Sequence, residues 1–228
     1  MSSETRSVTW TIGKATPVVT PPVGKTLDFT GGAQDLITAG SATGGTLQYK
    51  LGDGEYGTAI PKAAEVGTYT VYYRVVGDNN WNDVAQSSVT ASIEAQTVTL
   101  PTQSGTLTYN RSEQEPSWSG YDDTKLTLGG VSAATNAGTY TATFAPKTGY
   151  VWADTGTTEA RDATWAIDTA KVSLPTQSGS LTYDGTEQSP SWTSYPADAF
   201  TIAGTTEATN AGNYNASFTP TANYEWAD

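Results

Sequence analysis

One segment occurs twice in the chain at a constant spacing, as residues 97–154 and 171–228. Trp192 follows Trp118 and Tyr214 follows Tyr140 by the same interval, since 192−118 and 214−140 both equal 74. Between the two copies roughly half of the positions are identical. Self-similarity of this kind indicates tandem copies of one structural unit, so the fold must be one that can be repeated along the chain.

A short phrase with Gly two residues before Tyr marks each copy, and a looser version extends the repeat toward the N-terminus. The three phrases begin at Gly67, Gly138 and Gly212. After the Tyr, small or apolar residues largely alternate with polar ones, which is the period of a half-buried β-strand. The first copy is a diverged relative, in which Phe29 stands at the position of Tyr109.

The pattern between these phrases predicts an all-β fold. Short strand-like runs are separated by Gly, Pro, Asn and Asp, and no stretch has sustained helical spacing. In the middle copy we expect strands near 97–100, 106–109, 115–119, 124–128, 139–145 and 160–167. Six or seven strands in about 75 residues favour a small sandwich over a closed barrel. The seams between copies are short, which predicts an elongated and fairly stiff rod.

The repeat frame divides the chain into four parts. They are an orphan last strand (1–13), repeat 1 (14–96), repeat 2 (97–170) and repeat 3 without its last strand (171–228). The orphan strand is identified by Thr9, Trp10, Thr11 and Ile12, which match the end of repeat 2 at 164–167.

Two explanations of this frame stay open. In the first, the chain is an excerpt of a longer array. In the second, residues 3–12 of one copy complete the third repeat of another copy by strand addition, which would make the chain a filament subunit that assembles head to tail.

Composition excludes several functional classes. The chain has 228 residues, a formal charge of −12 and no His or Cys. An acidic surface repels phosphate, so we expect no nucleic-acid partner, and no apolar run is long enough to insert into a membrane. Without His or Cys, the usual catalytic triads and zinc sites are ruled out. The sequence therefore predicts a protein that is not an enzyme and that has no cofactor.

Two groups of residues are candidates for ligand binding. Asp78, Asn80 and Asp83 lie in an oxygen-rich loop that could accept Ca²⁺, although an Asx-rich turn is the simpler interpretation. Trp81, Trp152 and Trp226 each precede an Asp by two residues. These aromatics could stack on a sugar or contact a protein if they are exposed, and they would form core or seam contacts if they are buried.

The chain resembles the tandem bacterial immunoglobulin-like (MBG-like) repeats of large surface proteins of Gram-positive and gut bacteria. The resemblance is carried by residues 40–49 and 67–78 of repeat 1, and by 107–110 and 138–142 of repeat 2. It implies a structural spacer, stalk or adhesive module that is extracellular and attached to the cell surface. A carbohydrate- or protein-binding module with a host glycan or protein as partner is the alternative. The family motifs specify fold and carry no catalytic residues.

The Gly-x-Tyr phrase has a structural explanation within such a fold. In immunoglobulin-like sandwiches a Tyr near the start of the penultimate strand bonds back to the main chain across the corner. Tyr69, Tyr140 and Tyr214 are the candidates for this tyrosine corner. The phrase therefore predicts a scaffold signature.

Overall fold

A computed structural model describes residues 3–228, and this part of the chain is built from β-strands and turns. The predicted all-β class is confirmed. No helix in the described residues is long and apolar enough to cross a membrane.

Ten strands lie in repeat 1, and most of them are short. They are β1 (Val18–Thr20), β2 (Val23–Gly24), β3 (Thr26–Asp28), β4 (Gln34–Asp35), β5 (Ile37–Thr38), β6 (Ser41–Thr43), β7 (Thr46–Leu51), β8 (Lys62–Ala63), β9 (Gly67–Val76) and β10 (Val84–Glu94). The two longest strands, β9 and β10, form an antiparallel pair that begins at the Gly-x-Tyr phrase.

Eight strands follow in repeat 2 and six in repeat 3. Those of repeat 2 are β11 (Gln96–Val98), β12 (Thr102–Ser104), β13 (Leu107–Thr108), β14 (Ser117–Ser119), β15 (Leu126–Gly130), β16 (Gly138–Pro146), β17 (Tyr150–Trp152) and β18 (Arg161–Asp168). Those of repeat 3 are β19 (Ala170–Val172), β20 (Gln177–Ser178), β21 (Ser191–Trp192), β22 (Phe200–Gly204), β23 (Ala216–Pro220) and β24 (Tyr224–Trp226).

Repeats 1 and 2 contain the same four-stranded sheet. Its order is β3-β10-β9-β7 in repeat 1 and β13-β18-β16-β15 in repeat 2. In both sheets the first edge strand, β3 or β13, is parallel to the last strand of the repeat, β10 or β18. The other pairs of neighbouring strands are antiparallel. In repeat 3 the corresponding region contains only the antiparallel pair β22-β23.

The described chain divides into two compact units, and the division does not follow the repeats. Unit 1 holds the chain up to Val98 together with Thr148–Gly156, and unit 2 holds Thr99–Lys147 and Thr157–Asp228. The segment with β17 therefore belongs to unit 1, where it pairs with β11 in parallel. In unit 2 the corresponding strands β24 and β19 pair in the same way.

Each unit has its own apolar interior. In unit 1 the core side chains include Leu36, Ile37, Val71 and Ile93, each about fully buried. In repeat 2 the largest buried side chains are Phe144 and Trp165. A second core in unit 2 is the buried cluster of repeat 3, which consists of Val172, Ala199, Phe200 and Tyr224.

Candidate functional site

The three Tyr residues of the Gly-x-Tyr phrase make the same local hydrogen bond. Each hydroxyl donates to the carbonyl oxygen four residues earlier: Tyr69 to Glu65 at 2.5 Å, Tyr140 to Asn136 at 2.7 Å and Tyr214 to Asn210 at 2.7 Å. For Tyr69 and Tyr140 this bond ties the start of the strand to the preceding turn, as the bond of a tyrosine corner would.

The Asp78 loop is an Asx turn whose acidic oxygens accept main-chain hydrogen bonds. Asp78 Oδ1 accepts from the amides of Asn80 (2.7 Å) and Trp81 (3.1 Å), and Asp83 Oδ1 accepts from the Gly77 amide at 2.7 Å. The Lys14 ammonium also donates to the Asp78 carbonyl oxygen. Within residues 3–228 no group of three acidic side chains is arranged to hold a metal ion. The contacts present are those of a turn.

The three candidate Trp side chains are packed to different degrees. Trp152 is fully buried and lies opposite Val98 in the β11-β17 pair. Trp226 is half-buried and stacks on Phe200 with ring centroids 5.2 Å apart. Trp81 is half-buried, and its ring lies so close to Gly44 that a Cβ there would be 2.1 Å from a ring carbon. These positions favour packing over sugar stacking, because a stacking platform needs an open ring face.

Repeats 2 and 3 meet inside unit 2 through a polar and aromatic cluster, here called the seam cluster: Tyr109, Arg111, Asp198 and Tyr224. The Arg111 guanidinium lies 2.7 Å from Asp198 Oδ1, and the Tyr109 hydroxyl donates to Asp198 Oδ2 at 3.0 Å. Tyr224 donates to Asp198 Oδ1 at 3.1 Å, and its ring meets that of Tyr109 edge-on at 5.3 Å. Asp198 thus accepts from three side chains.

The seam cluster changes the acidity of its members. Burial alone would raise the pKa of Asp198, but hydrogen bonds from Arg111, Tyr109 and Tyr224 outweigh it and hold the pKa below its ordinary value. Burial and the hydrogen bond to Asp198 raise the pKa of Tyr109. Both shifts favour the state with an ionised carboxylate and a neutral phenol, which is the state that forms these hydrogen bonds.

A second contact connects the same two repeats. The side-chain oxygen of Asn223 accepts from the Ala137 amide at 2.9 Å, and its amide nitrogen donates to Asn136 Oδ1 at 3.1 Å. Asn136 also supplies the carbonyl oxygen that receives the Tyr140 hydroxyl. Asn136, which accepts the Tyr140 hydrogen bond, is therefore part of the surface of repeat 2 that contacts repeat 3.

Unit 1 contains an apolar counterpart of the seam cluster. Phe29 stands at the position of Tyr109 and Tyr150 at the position of Tyr224, and their rings meet edge-on at 5.9 Å. The ring of Phe29 also lies against Gly149, where an added Cβ would be only 2.0 Å from a ring carbon. The Gln96 side chain donates to the Phe29 carbonyl oxygen at 2.6 Å. The aromatic pair is common to both units, and the ion pair belongs to unit 2.

Arg111 adopts a backbone conformation that is rare for its residue type. Its φ is 69°, in the left-handed region, whereas the corresponding positions of the other repeats hold Gly31 and Gly185 with φ of 78° and 83°. The left-handed conformation costs a non-Gly residue roughly 1 kcal/mol. Repeat 2 thus has a residue with a strained backbone where repeats 1 and 3 have glycine. The side chain of this residue forms the ion pair with Asp198.

The last strand of repeat 2, β18, is held by specific contacts to its own four-stranded sheet and to Gln103 of β12. In β18 the alternate residues Ala163, Trp165 and Ile167 are buried. The Trp165 indole donates to the Val131 carbonyl oxygen at 2.7 Å, and its ring lies 4.8 Å from that of Tyr140. The Gln103 side chain both donates to the Ala166 carbonyl oxygen (3.0 Å) and accepts from its amide (2.8 Å).

Repeat 3 has a groove at the place where β18 lies in repeat 2. The groove has a volume of about 470 Å³ and is lined by residues that include Gln177, Leu181, Thr205 and Tyr214. These are the counterparts, 74 positions later, of Gln103, Leu107, Val131 and Tyr140, all of which contact β18. Leu181 and Tyr214 are about half exposed.

The N-terminal segment of residues 3–12 is exposed along its whole length and forms no strand. Within it, Trp10 is 78% and Ile12 is 79% exposed, whereas the matching Trp165 and Ile167 of β18 are 1% and 2% exposed. Thr9 and Thr11 are exposed as well. The candidate donor strand therefore presents its apolar side chains to solvent.

No family model matches the chain, and no curated protein is significantly similar to it.

The seam cluster was not predicted from the sequence. One signal was available, because Arg111 stands where the aligned repeats have Gly31 and Gly185. Asp198 offered none, since its counterpart in repeat 2 is Thr124 and both residues suit an exposed turn. The groove, by contrast, follows from the repeat alignment.

Proposed function

We propose that this chain is a structural spacer of a bacterial cell-surface protein, in which tandem immunoglobulin-like sandwiches form an elongated, stiff and extracellular rod. The observation that carries the proposal is the seam cluster between repeats 2 and 3. A spacer has to transmit position from one end to the other, so its joints must resist bending. A seam in which the Asp198 carboxylate of repeat 3 is bound by two side chains of repeat 2, Tyr109 and Arg111, supplies such resistance.

The sheet order supports the sandwich component of the proposal. In immunoglobulin domains the strands C, F and G are neighbours in one sheet, with F and G last in sequence. The orders β7-β9-β10 and β15-β16-β18 follow this arrangement. The hydrogen bonds of Tyr69 and Tyr140 at the start of the second-to-last long strands agree with it as well.

The composition supports a passive extracellular role. Charged residues make up only 15% of the sequence, and the sequence has no Cys, so folding does not depend on disulfide formation. The resemblance to surface-protein repeats points in the same direction. An adhesive variant of this role would require an exposed binding surface, and the packing of Trp81, Trp152 and Trp226 does not favour these residues as that surface.

The stiffness of the seam can be measured by pulsed electron paramagnetic resonance. Because the chain has no Cys, spin labels can be attached at Thr127→Cys and Thr201→Cys, which are exposed and equivalent positions in repeats 2 and 3. We expect a narrow distance distribution in the otherwise unchanged chain. A broad distribution, comparable to that of a flexible linker, would contradict the spacer role.

The seam cluster is then tested as the cause of the stiffness. Arg111→Gly removes the side chain while providing the residue that the other repeats use at that φ, and we expect it to broaden the distribution. Asp184→Asn is the matched control, because it alters a charged residue in the equivalent turn of repeat 3 and leaves the seam cluster intact. Equal broadening in both variants would show that the effect does not come from the seam.

A further inference from the structure

We propose that the groove of repeat 3 binds residues 3–12 of a second copy of this chain, which enter it as a strand at the position equivalent to β18. The interaction is a strand addition between two copies, so each chain would offer one donor segment and one acceptor groove. It does not depend on the spacer role, since a flexible chain could assemble in the same way.

The acceptor side is defined by equivalence with repeat 2. There, β18 runs antiparallel to β16, parallel to β13, and covers the gap between them. In repeat 3 the residues equivalent to β13 form no strand, and β23 begins at Ala216, four residues later than its counterpart β16 would place it. The two strands that flank β18 in repeat 2, β13 and β16, therefore have irregular counterparts in repeat 3. A strand placed between them would supply the hydrogen-bond partners that both edges need.

The donor side has the pattern of buried residues that the groove requires. Val8, Trp10 and Ile12 stand at the positions of Ala163, Trp165 and Ile167, each 155 residues earlier (163−8, 165−10 and 167−12). The three residues of β18 are at most 7% exposed, and the three of the N-terminal segment are at least 78% exposed. A Trp and an Ile on one face of an extended segment favour burial, because each removes a large apolar surface from water.

The register of the bound strand follows from the contacts of β18. The Trp10 indole would donate to the Thr205 carbonyl oxygen, as Trp165 does to Val131, and its ring would lie on Tyr214. The Gln177 side chain would bond to both main-chain groups of Thr11, as Gln103 does with Ala166. Ile12 would lie between Leu181 and Gly212, since Ile167 is paired with Leu107 and Gly138.

The occupant is a second copy because the donor sequence is present in this chain and matches the groove in spacing and in alternation. A segment that follows residue 228 in a longer protein would compete for the same groove. Binding of the donor by the groove of its own chain is the other alternative. Both alternatives are separated from the proposal by the crosslinking experiment below.

A disulfide tests the register directly in the full-length chain. Thr141 lies opposite Thr164 in repeat 2, so Asn215 should lie opposite Thr9 of the second copy. Directly opposite residues of an antiparallel pair are within disulfide reach, and diagonal ones about 7–8 Å apart are not. We expect Thr9→Cys/Asn215→Cys to give a ladder of covalent multimers on a non-reducing gel. The control Thr9→Cys/Asn213→Cys, shifted by two residues, should remain mostly monomeric.

Each other outcome of the crosslinking overturns the proposal. A disulfide within one chain, seen as a monomer of altered mobility, would show that the donor binds its own groove. A lack of crosslinking by the matched pair would show that residues 3–12 do not enter the groove, and would leave it to a following segment of a longer protein. Equal ladders for matched and shifted pairs would indicate contact without a defined register.

A mixing experiment distinguishes strand addition from nonspecific association through the exposed Trp. Trp10→Ser/Ile12→Ser disables the donor, and Leu181→Asp places a charge in the acceptor while altering a side chain that is already half exposed. We expect the unmodified chain to form larger species as its concentration rises in sedimentation velocity, and each variant alone to stay monomeric. An equimolar mixture should stop at the dimer. A monomeric mixture, or an unmodified chain that stays monomeric at all concentrations, would refute the assembly.

Discussion

The guanidinium of Arg111 lies 2.7 Å from the carboxylate of Asp198, 87 positions along the chain, and reaches it from a left-handed backbone conformation. A strained backbone conformation of this kind is kept only where the surrounding contacts stabilise it. In the other two repeats the position is Gly. The strain of Arg111 is therefore tied to the contact between repeats.

The first prediction concerns the coupling of these two side chains. Arg111→Ala, which keeps a non-glycine residue at the left-handed position, and Asp198→Asn should each lower the melting temperature of unit 2 at neutral pH. The double variant should be no less stable than the worse single variant, because each change removes the same interaction. Thermal unfolding followed by tyrosine and tryptophan fluorescence measures this cycle. Strictly additive effects would show that the two residues act independently.

The second prediction concerns pH. The folded protein holds the pKa of Asp198 below its ordinary value of 3.8, so the carboxylate stabilises the fold above that value and the stabilisation is lost as the pH falls through the folded pKa. The difference in melting temperature between the unmodified chain and Asp198→Asn should be constant at neutral pH and should shrink once the pH falls below 3.8. A difference that grows on acidification would contradict the sign of the shift.

The positions of several strands could be predicted from local pattern. Strands expected near 139–145 and 160–167 are observed at Gly138–Pro146 and Arg161–Asp168. Their apolar residues alternate, and the Gly-x-Tyr phrase marks where the first of them begins. The expected strand at 97–100 ends early at Val98, and the chain continues into Thr102–Ser104 after the buried Pro101, which has no amide hydrogen to donate.

Other features have no local signal. Strand β17 has three residues and depends on its parallel partner β11, which lies more than 50 positions earlier. In unit 1 its Tyr150 also packs against Phe29, a contact that a pattern within one repeat does not reveal. The seam cluster is similar, since Asp198 becomes distinctive only when Arg111 is placed beside it. Contacts between repeats are long-range, whereas sequence periodicity reports only on short-range structure.

The third prediction tests the close packing of Gly149 on Phe29. Gly149→Ala should destabilise unit 1, because the new Cβ would overlap the ring and because φ is 89°. The matched control is Gly156→Ala, where φ is 68° but nothing lies within 4 Å of the new Cβ. The control should cost about 1 kcal/mol from backbone strain alone, and Gly149→Ala about 1–3 kcal/mol more from overpacking.

Chemical denaturation of the two glycine variants measures this difference. Adding Phe29→Leu to Gly149→Ala should recover part of the loss, since a smaller side chain leaves room for the Cβ. Equal destabilisation by Gly149→Ala and Gly156→Ala would indicate that the aromatic packing in unit 1 does not constrain Gly149.

The fourth prediction compares the hydroxyl hydrogen bonds of Tyr140 in repeat 2 and Tyr214 in repeat 3. The Tyr140 hydroxyl donates to the Asn136 carbonyl oxygen, and the Tyr140 ring lies against Trp165 of the last strand. Tyr140→Phe should lower the free energy of unfolding by about 1 kcal/mol, the usual net contribution of one hydrogen bond. Tyr214→Phe should cost less, because Tyr214 is 47% exposed and its carbonyl partner can bond to water when the hydroxyl is removed.

The comparison also depends on what lies over Tyr214. If a strand from a second copy covers it, the cost of Tyr214→Phe should rise with protein concentration toward that of Tyr140→Phe, because the hydroxyl is then shielded from water. Denaturant unfolding at a series of protein concentrations measures both costs. The cost of Tyr140→Phe serves as the reference, since Trp165 of the same chain covers this residue whatever the concentration. A cost for Tyr214→Phe that equals the reference at the lowest concentration would show that exposure of the ring does not weaken the corner bond.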